Sequence, residues 1–174
     1  MENIIEKDCC FEQDGFWFRY RAAAIIIEDG CILMAHNGPD NYYYSAGGGV
    51  HLGETSVEAV TREIKEECGL TYKPERLAFI NETLFFENGN PLSGKQCHVI
   101  EFYYLMKPQG RKLFKDGEER KILLETKDNL PERLYWIPLE KLGECRAFPE
   151  FFCEKLSGIP EVIEHFISDE RKLQ

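Results

Sequence analysis

Long hydrophobic runs are absent from this sequence of 174 residues. No apolar stretch approaches the ~18 residues that a membrane-spanning helix needs. The first ten residues, MENIIEKDCC, lack both the basic region and the apolar region of a secretory signal. We therefore expect a cytoplasmic protein that has no membrane partner.

Positive charge is also scarce, because 21 lysines and arginines face 31 aspartates and glutamates and leave a net charge of −10. A protein of this sign repels the backbone of nucleic acids, so we expect no nucleic-acid partner. The only long basic stretch, 111–121, is interrupted by Asp116, Glu118 and Glu119. A small polyanionic substrate would need arginine or lysine side chains, or a bound metal ion, to hold it.

Cysteine pairs of the C-x-x-C type are missing, which argues against a zinc site. The seven cysteines are an odd number and follow no export signal, which is typical of reduced thiols that pack as small core residues. Adjacent Cys9 and Cys10 leave a redox pair open as the alternative to an incidental one.

The residue pattern predicts strands joined by turns around one central helix. Runs of aromatic and β-branched residues predict strands at 16–27, 31–35, 42–44, 76–87, 96–105, 121–125 and 134–137. Asp29-Gly30 and 88–91 predict turns, and Gly47–Gly49 predicts a break. Pro149 and Pro160 each predict the start of a C-terminal helix within 148–168. No repeat or linker divides the chain. We therefore predict a single domain, 1–174, with an N-terminal extension at 1–15, of the α+β or α/β/α sandwich class with a mixed sheet.

The central helix carries three glutamates on one face. It is predicted to begin at a Thr55 N-cap and to end at a Gly69 C-cap. Glu63, Glu66 and Glu67 are i, i+3 and i+4 neighbours, so their Cβ atoms lie ~5–6 Å apart and their charges repel. A solvated acidic face explains this cluster, and so does a site for Mg²⁺ or Mn²⁺, which prefer such oxygen ligands. The helix alone leaves both readings open.

The segment before the helix favours the metal site. Glycines let backbone groups approach phosphate or metal closely, and Gly47–Gly49, Glu54 and the helix form one continuous unit. The 23 residues GGVHLGETSVEAVTREIKEECGL, at 48–70, resemble the Nudix box at every constrained position. These positions are Gly48, Glu54, Arg62, Glu63, Ile64, Glu66, Glu67, Gly69 and Leu70. Ala46 departs from the family pattern, in which proline is frequent, and we expect it to soften the loop without abolishing function.

The resemblance implies a Nudix fold and a site for Mg²⁺, with Mn²⁺ as the alternative ion. The implied metal-binding residues are Gly48, Glu54, Glu63, Glu66 and Glu67. The implied catalytic residues are Glu67, Glu66, Glu63 and Arg62, where Arg62 orients the cluster and Glu67 is our first choice of general base. Distant acids remain alternatives for the base, namely Glu118, Glu119, Asp128 and Glu132.

Substrate recognition is expected from outside the acidic cluster. The aromatic candidates for stacking on a base are Tyr42, Tyr43, Tyr44, Phe85, Phe86 and Trp136, and core packing is the competing interpretation of each. Our predicted substrate-binding residues are Tyr44, Gly47, Gly48, Gly49 and Trp136.

The implied activity is that of a Nudix-type pyrophosphohydrolase with a small nucleotide-like substrate. Water attacks phosphorus and splits a phosphoanhydride bond in a nucleoside diphosphate linked to a group X, such as a nucleoside triphosphate or ADP-ribose. The alternative is a non-catalytic nucleotide sensor, although such a relative is expected to have lost some of the three helix glutamates. Messenger-RNA decapping ranks lower, because it requires a basic groove. The sequence leaves open the identity of X and the number of metal ions. It also leaves open the oligomeric state, for which a homodimer is one option.

Overall fold

The computed structural model describes residues 5–87, 92–125 and 133–171, with side chains from Lys7 onward. The first strands are β1 (Ile5–Asp8), β2 (Cys10–Gln13), β3 (Phe16–Ile25), β4 (Ile27–Glu28), β5 (Cys31–Asn37), β6 (Tyr42–Ser45), β7 (Gly47–Gly49) and β8 (His51–Leu52). Helix α1 (Ser56–Cys68) and the strands β9 (Pro74–Glu87), β10 (Lys95–Met106), β11 (Leu123–Glu125) and β12 (Arg133–Pro138) follow. The chain continues with a 3₁₀ helix (Leu139–Glu144), β13 (Ala147–Phe148), the short helix α2 (Phe152–Lys155) and β14 (Glu164–Asp169). Within the described ranges, none of these helices has the length and apolarity needed to cross a membrane.

Two large sheets carry the fold. In the first, the strands lie in the order β14-β9-β10-β3-β2, and β7 also pairs with β3. In the second, the order is β11-β12-β5-β6-β13, and β4 pairs with β5. Strand β10 runs parallel to β3 and antiparallel to β9, so the first sheet is mixed. The predicted α+β fold with a mixed sheet is confirmed.

Strand β3 is buried on both faces at its C-terminal half. Ala22 and Ala24, with Ile26 just after the strand, pack in a core that includes the buried face of α1. Ala23 and Ile25 point the other way, into a core closed by the 3₁₀ helix and α2. Because successive side chains of a strand alternate between faces, two-sided burial produces the unbroken apolar run seen in the sequence. The result is a layered α/β/α arrangement.

Helix α1 has the predicted caps. The Thr55 hydroxyl accepts the Glu58 backbone amide at 3.3 Å, and the Glu58 carboxylate accepts the Thr55 amide at 2.9 Å, which is a complete capping box. Gly69 ends the helix in the left-handed conformation, with φ of 59°. The buried residues that anchor α1 to the sheet are Ala59, Val60, Ile64 and Cys68. Their position turns the glutamate face of α1 toward β7.

Gly47–Gly49 forms a strand, β7, where the sequence predicted a break. It pairs antiparallel with β3, and Gly47 lies opposite Ala23. Gly47 has φ of 143°, and a Cβ there would collide with backbone atoms of Ala22 and Ala23. The glycines therefore permit a close strand pairing, which local sequence does not reveal because the partner strand is distant in the chain.

The prediction of two C-terminal helices within 148–168 is wrong for the second of them. Only the four-residue α2 forms, and the residues after Pro160 enter the strand β14. Strand β14 pairs in parallel with β9, and its Phe166 ring stacks on Phe151 with centroids 4.0 Å apart. Its neighbour Ile167 is 65% exposed, so the segment alternates as a half-buried strand does. The segment after Pro160 forms a strand because it pairs with β9.

The predicted N-terminal extension contributes strands as well. Strand β2 adds an edge to the first sheet by pairing with β3. Strand β1 pairs with β8, and Asp8 lies opposite His51. The predicted turn at 88–91 lies outside the described residues.

Candidate active site

A polar cleft of about 440 Å³ lies where β3, β7 and α1 meet. Its lining includes four acidic side chains, two arginines, two tyrosines and the three glycines of β7. These residues are Asp8, Arg19, Arg21, Tyr42, Tyr44, Gly47, Gly48, Gly49, Glu63, Glu67 and Glu101. The cleft therefore brings together most of the predicted site with residues that the prediction missed.

Two glutamates of α1 converge on the backbone of β7. The Gly47 amide donates to Glu67 Oε2 at 2.8 Å, which fixes the orientation of that carboxylate. The Glu63 carboxylate lies directly against Gly48, because a Cβ on Gly48 would overlap it. A glycine at position 48 is therefore required for Glu63 to occupy this place.

Arg62 ties the helix to the loop that precedes it. Its Nε and Nη2 atoms each donate to a Glu54 carboxylate oxygen at 2.9 Å, and Nη2 also donates to the Gly49 carbonyl at 2.9 Å. Its Nη1 atom donates to Glu63 at 2.7 Å and to Glu66 at 3.2 Å. Burial raises the pKa of Glu54, but the hydrogen bonds from Arg62 and from the His51 amide outweigh it and hold that pKa below its ordinary value. Arg62 thus contacts the preceding loop, strand β7 and helix α1 at once.

Glu66 lies at the margin of this arrangement. Its side chain is 60% exposed, and Glu66 is not among the residues that line the cleft. In the described part of the chain, no three acidic, histidine or cysteine side chains are gathered as a metal site. Arg62 donates to both Glu63 and Glu66 in this arrangement. The donor set nevertheless fits a hard divalent cation, because the Glu63 and Glu67 carboxylates face one cleft beside a glycine backbone.

A buried arginine forms the floor of the cleft. Arg21 donates from Nη2 to the Ser45 and Gly47 carbonyls at 2.7 and 2.8 Å, and from Nη1 to Glu101 Oε1 at 3.0 Å. Burial alone would lower the pKa of Arg21, but the adjacent Glu101 carboxylate reverses this and raises it. Thr83 donates to the second Glu101 oxygen at 3.2 Å. The network holds the Gly47 carbonyl, and the amide of the same residue donates to Glu67.

Sequence reasoning missed Arg21 and Glu101, although a signal was present. Each is a charged residue flanked by apolar or aromatic neighbours in its strand, and the two lie opposite each other in the β3–β10 pairing. A charge on the inward face of a strand requires a partner. Such a residue in a predicted strand is therefore a candidate for a buried pair or a site.

At one end of the cleft, Asp8, Arg19 and His51 form a cluster of polar side chains that no pattern in the sequence predicted. Asp8 accepts from Arg19 Nη2 at 3.3 Å and lies 3.5 Å from His51 Nε2. A Cβ on Gly49 would overlap the Asp8 carboxylate, so Asp8 lies directly over β7. Only the pairing of β1 with β8 brings Asp8 here.

The other end of the cleft carries aromatic rings. Tyr42 and Tyr44 line it with ring centroids 5.8 Å apart, and Arg146 lies over the Tyr42 ring at 5.6 Å. Tyr43 points to the opposite face and packs on His36 and the second core. Tyr42 and Tyr44 therefore reach the cleft, while Tyr43 packs on the other side of β6.

Trp136, predicted to bind substrate, lies in the core. It is 1% exposed, its indole Nε1 donates to Glu125, and the Arg111 guanidinium lies 5.3 Å from its ring centroid. Strand β12 turns this side chain toward the core under α1, so the substrate-binding assignment of Trp136 is corrected.

The distant acids proposed as alternative bases do not reach the cleft where they are described. Glu118 accepts the Lys115 backbone amide at 3.1 Å within its own turn. Glu119 pairs with Lys141 at 3.7 Å on the surface. Asp128 and Glu132 lie outside the described residues.

Fold and cleft together define a class of α+β proteins in which a glycine strand and the glutamates of one helix face a polar cleft. Residues 17–151 match the sequence profile of the NUDIX domain, and the chain belongs to that family. The resemblance at 48–70 is thereby confirmed. Strands β1 and β2 precede the matched residues.

Named relatives extend the comparison. The chain is 37% identical over 71 residues to an RNA pyrophosphohydrolase from Acinetobacter baylyi, an alignment that spans 40% of this chain and only 42% of that protein. A mutator MutT protein from Bacillus halodurans has a similar fold, with a TM-score of 0.59 and 19% identity, over 86% of this chain and 90% of that one. An ADP-ribose pyrophosphatase from Streptococcus suis gives a TM-score of 0.50 at 17% identity, over 86% and 98% of the two chains. At these identities the solved structures show the fold alone.

Proposed function

We propose that this protein is a divalent-metal-dependent pyrophosphohydrolase that cleaves a phosphoanhydride bond in a nucleoside diphosphate linked to a group X. The observation that carries the proposal is the convergence of Glu63 and Glu67 on the Gly47–Gly49 backbone inside one cleft. Carboxylates beside a glycine strand suit the binding of a metal and a phosphate at adjacent places. The family membership and the named relatives support the same activity.

Mg²⁺, or Mn²⁺ as the alternative, would be held by Glu63 and Glu67, with Glu66, Glu54 and the Gly48 carbonyl as further ligands. When bound, the ion supplies positive charge to the diphosphate and makes an attacking water more acidic. Glu66 and Glu63 now share Arg62, so metal binding competes with this arginine for their oxygens. The chain's net charge of −10 means that an anionic substrate needs local positive charge, which such a cation would supply beside the arginines of the cleft.

The protein's own side chains position the reaction. Glu67, oriented by the Gly47 amide, is the base that takes a proton from the attacking water. Arg62 aligns Glu54 and Glu63 relative to the Gly49 carbonyl. Arg21, fixed by Glu101, holds the Gly47 carbonyl and so positions the β7 backbone beside which the phosphates lie.

The two ends of the cleft bind different parts of the substrate. The Tyr42 and Tyr44 rings offer stacking faces to the nucleobase, and the β7 backbone adjoins the diphosphate. Group X then extends toward Asp8 and Arg19. The similarity to an ADP-ribose pyrophosphatase suggests ribose as one candidate for X.

The second candidate function is nucleotide binding without cleavage. The engagement of Glu63 and Glu66 by Arg62 favours it, because those carboxylates are already satisfied. A Mg²⁺-dependent enzyme and a sensor differ in turnover, which makes the distinction experimental.

The test is a product assay on nucleoside triphosphates, dinucleoside polyphosphates, nucleotide sugars, ADP-ribose and NADH with Mg²⁺ or Mn²⁺. We expect turnover of at least one compound, its loss with a chelator, and a loss of at least ~100-fold in the Glu67→Gln protein. Glu75→Gln, the same change on the exposed edge of β9, serves as the matched control and should keep full activity. Nucleotide binding with no product from the wild-type protein would instead establish the sensor.

A further inference from the structure

An acidic side chain from outside the matched NUDIX residues enters the cleft. Strand β1 precedes residue 17, where the family match begins, and pairs with β8 so that Asp8 lies opposite His51. The Cys9 amide donates to the Val50 carbonyl at 2.7 Å, which anchors the chain beside Asp8. The position of Asp8 is therefore a fixed feature of this fold.

The Asp8 carboxylate contacts the two basic side chains at its end of the cleft. It accepts from Arg19 at 3.3 Å and lies 3.5 Å from His51 Nε2. Its side chain is 33% exposed, and its carboxylate covers Gly49. An incoming phosphate at this place would meet a negative charge, and it would find Arg19 already paired.

The residues that line the cleft follow one another along β3 and β7. Arg19 and Arg21 are two residues apart on one face of β3, and Gly49 lies opposite Arg21 while Gly47 lies opposite Ala23. The chain enters β7 from Ser45, so Tyr44 lies at the Gly47 end and Asp8 at the Gly49 end. A substrate with its base on the tyrosines thus directs its far group toward Asp8.

We propose that Asp8 is a specificity-determining residue that selects against an anionic group X and for an uncharged, hydroxyl-bearing one such as a sugar. The proposal rests on the proposed function. A fixed carboxylate repels a terminal phosphate, and its oxygens accept hydrogen bonds from hydroxyl groups. Like charges brought together at a binding site discriminate strongly between partners of similar size.

The test compares substrates that share a nucleoside diphosphate and differ only in X. ATP is compared with ADP-ribose, and UTP with UDP-glucose, in the wild-type, Asp8→Asn and Asp8→Glu proteins. The measured quantity is the ratio of kcat/KM within each pair, which is independent of the fraction of folded enzyme. Asp14→Asn is the matched control, because Asp14 lies in the exposed turn between β2 and β3 of the same N-terminal segment.

We expect the wild-type protein to prefer the sugar compound and Asp8→Asn to shift the ratio toward the triphosphate by ~10-fold or more. Asp8→Glu and Asp14→Asn should keep the wild-type ratio. An unchanged ratio in Asp8→Asn, or an equal shift in Asp14→Asn, would overturn the role of Asp8 and leave the hydrolase intact. No turnover of any of the four compounds by the wild-type protein would overturn both this inference and the proposed function.

Discussion

The guanidinium of Arg62 donates hydrogen bonds to both carboxylate oxygens of Glu54, with Nε and Nη2 each 2.9 Å from a different oxygen. The same group reaches the Gly49 carbonyl and the Glu63 carboxylate. One planar cation therefore holds the loop, strand β7 and helix α1 in a common geometry. A lysine ammonium is a point charge and lacks this fork of donors.

We predict that Arg62→Lys lowers kcat by at least ~10-fold while the protein stays folded, because misplaced reacting groups slow catalysis. The charge is retained, so the loss measures geometry. Turnover at saturating substrate and Mg²⁺, together with circular dichroism, provides the measurement. Arg133→Lys, the same substitution at an exposed position on β12, is the control. Equal turnover in Arg62→Lys and the wild-type protein would contradict the orienting role.

Added Mg²⁺ should stabilise the folded protein. At ten times its Kd, a ligand that binds only the folded state adds about 1.4 kcal/mol, which raises Tm by roughly 4 °C for a chain of this size. We predict that this gain disappears in the Glu63→Gln, Glu67→Gln double variant and persists in Glu75→Gln. Differential scanning calorimetry with and without a chelator measures it. A full response in the double variant would place the ion elsewhere.

Adjacent glycines of β7 should respond differently to an added methyl group. In Gly48→Ala the three atoms nearest the added Cβ all belong to the end of the Glu63 side chain, which is able to move, so stability changes by less than about 1 kcal/mol. The displaced carboxylate should lower kcat by at least ~10-fold. In Gly47→Ala the Cβ meets the backbone of β3 at φ of 143°, and we expect a loss of about 2 kcal/mol or more.

Urea unfolding and turnover assays on both variants separate these effects. Similar losses of stability at the two positions would show that the Glu63 side chain is not the neighbour that matters at Gly48.

The ionisation of Asp29 should make the free energy of unfolding depend on pH. The Leu113 and Phe114 amides donate to its carboxylate at 3.0 and 3.3 Å and lower its pKa, with a smaller contribution from Lys112. Because its pKa is lower in the folded state, the Asp29 carboxylate stabilises the folded protein fully at pH values above the unfolded-state pKa of about 3.9. This stabilisation is lost as the pH falls through the pKa of the folded state. Asp29→Asn should therefore be less stable than the wild-type protein at pH 7, and the difference should shrink toward pH 3.

Urea unfolding at pH 7, 5 and 3 measures the difference. Asparagine tolerates the φ of 47° at position 29, so the substitution tests charge without changing the turn. Asp14→Asn, at φ of 50° in an exposed turn, provides the matched control. A stability difference at position 29 that stays constant with pH would contradict the prediction.

Local signals in the sequence were enough for helix α1 and the carboxylates it carries. Its N-cap at Thr55, its C-cap at Gly69 and the spacing of Glu63 and Glu67 all depend on residues within a few turns of one another. The strands at 31–37 and 133–138 were also recognisable, because unbroken runs of apolar residues predict buried strands.

Features that depend on distant partners were not predictable in this way. Strand β14 forms by pairing with β9, and Asp8 reaches the cleft through the pairing of β1 with β8. Trp136 was a plausible stacking residue by type, but the facing of β12 placed it in the core. In each case the deciding contact joins segments far apart in the chain, where single-sequence patterns carry no information about pairing.

The buried pair of Arg21 and Glu101 has a consequence for biosynthesis. The two residues are separated by 80 positions, and they meet only when β10 has docked beside β3. On the ribosome, β3, β7 and α1 emerge first, and the edge of β3 that awaits β10 stays open until Glu101 has left the exit tunnel. Nascent chains that stall before that point would display an unpaired strand edge, which promotes aggregation.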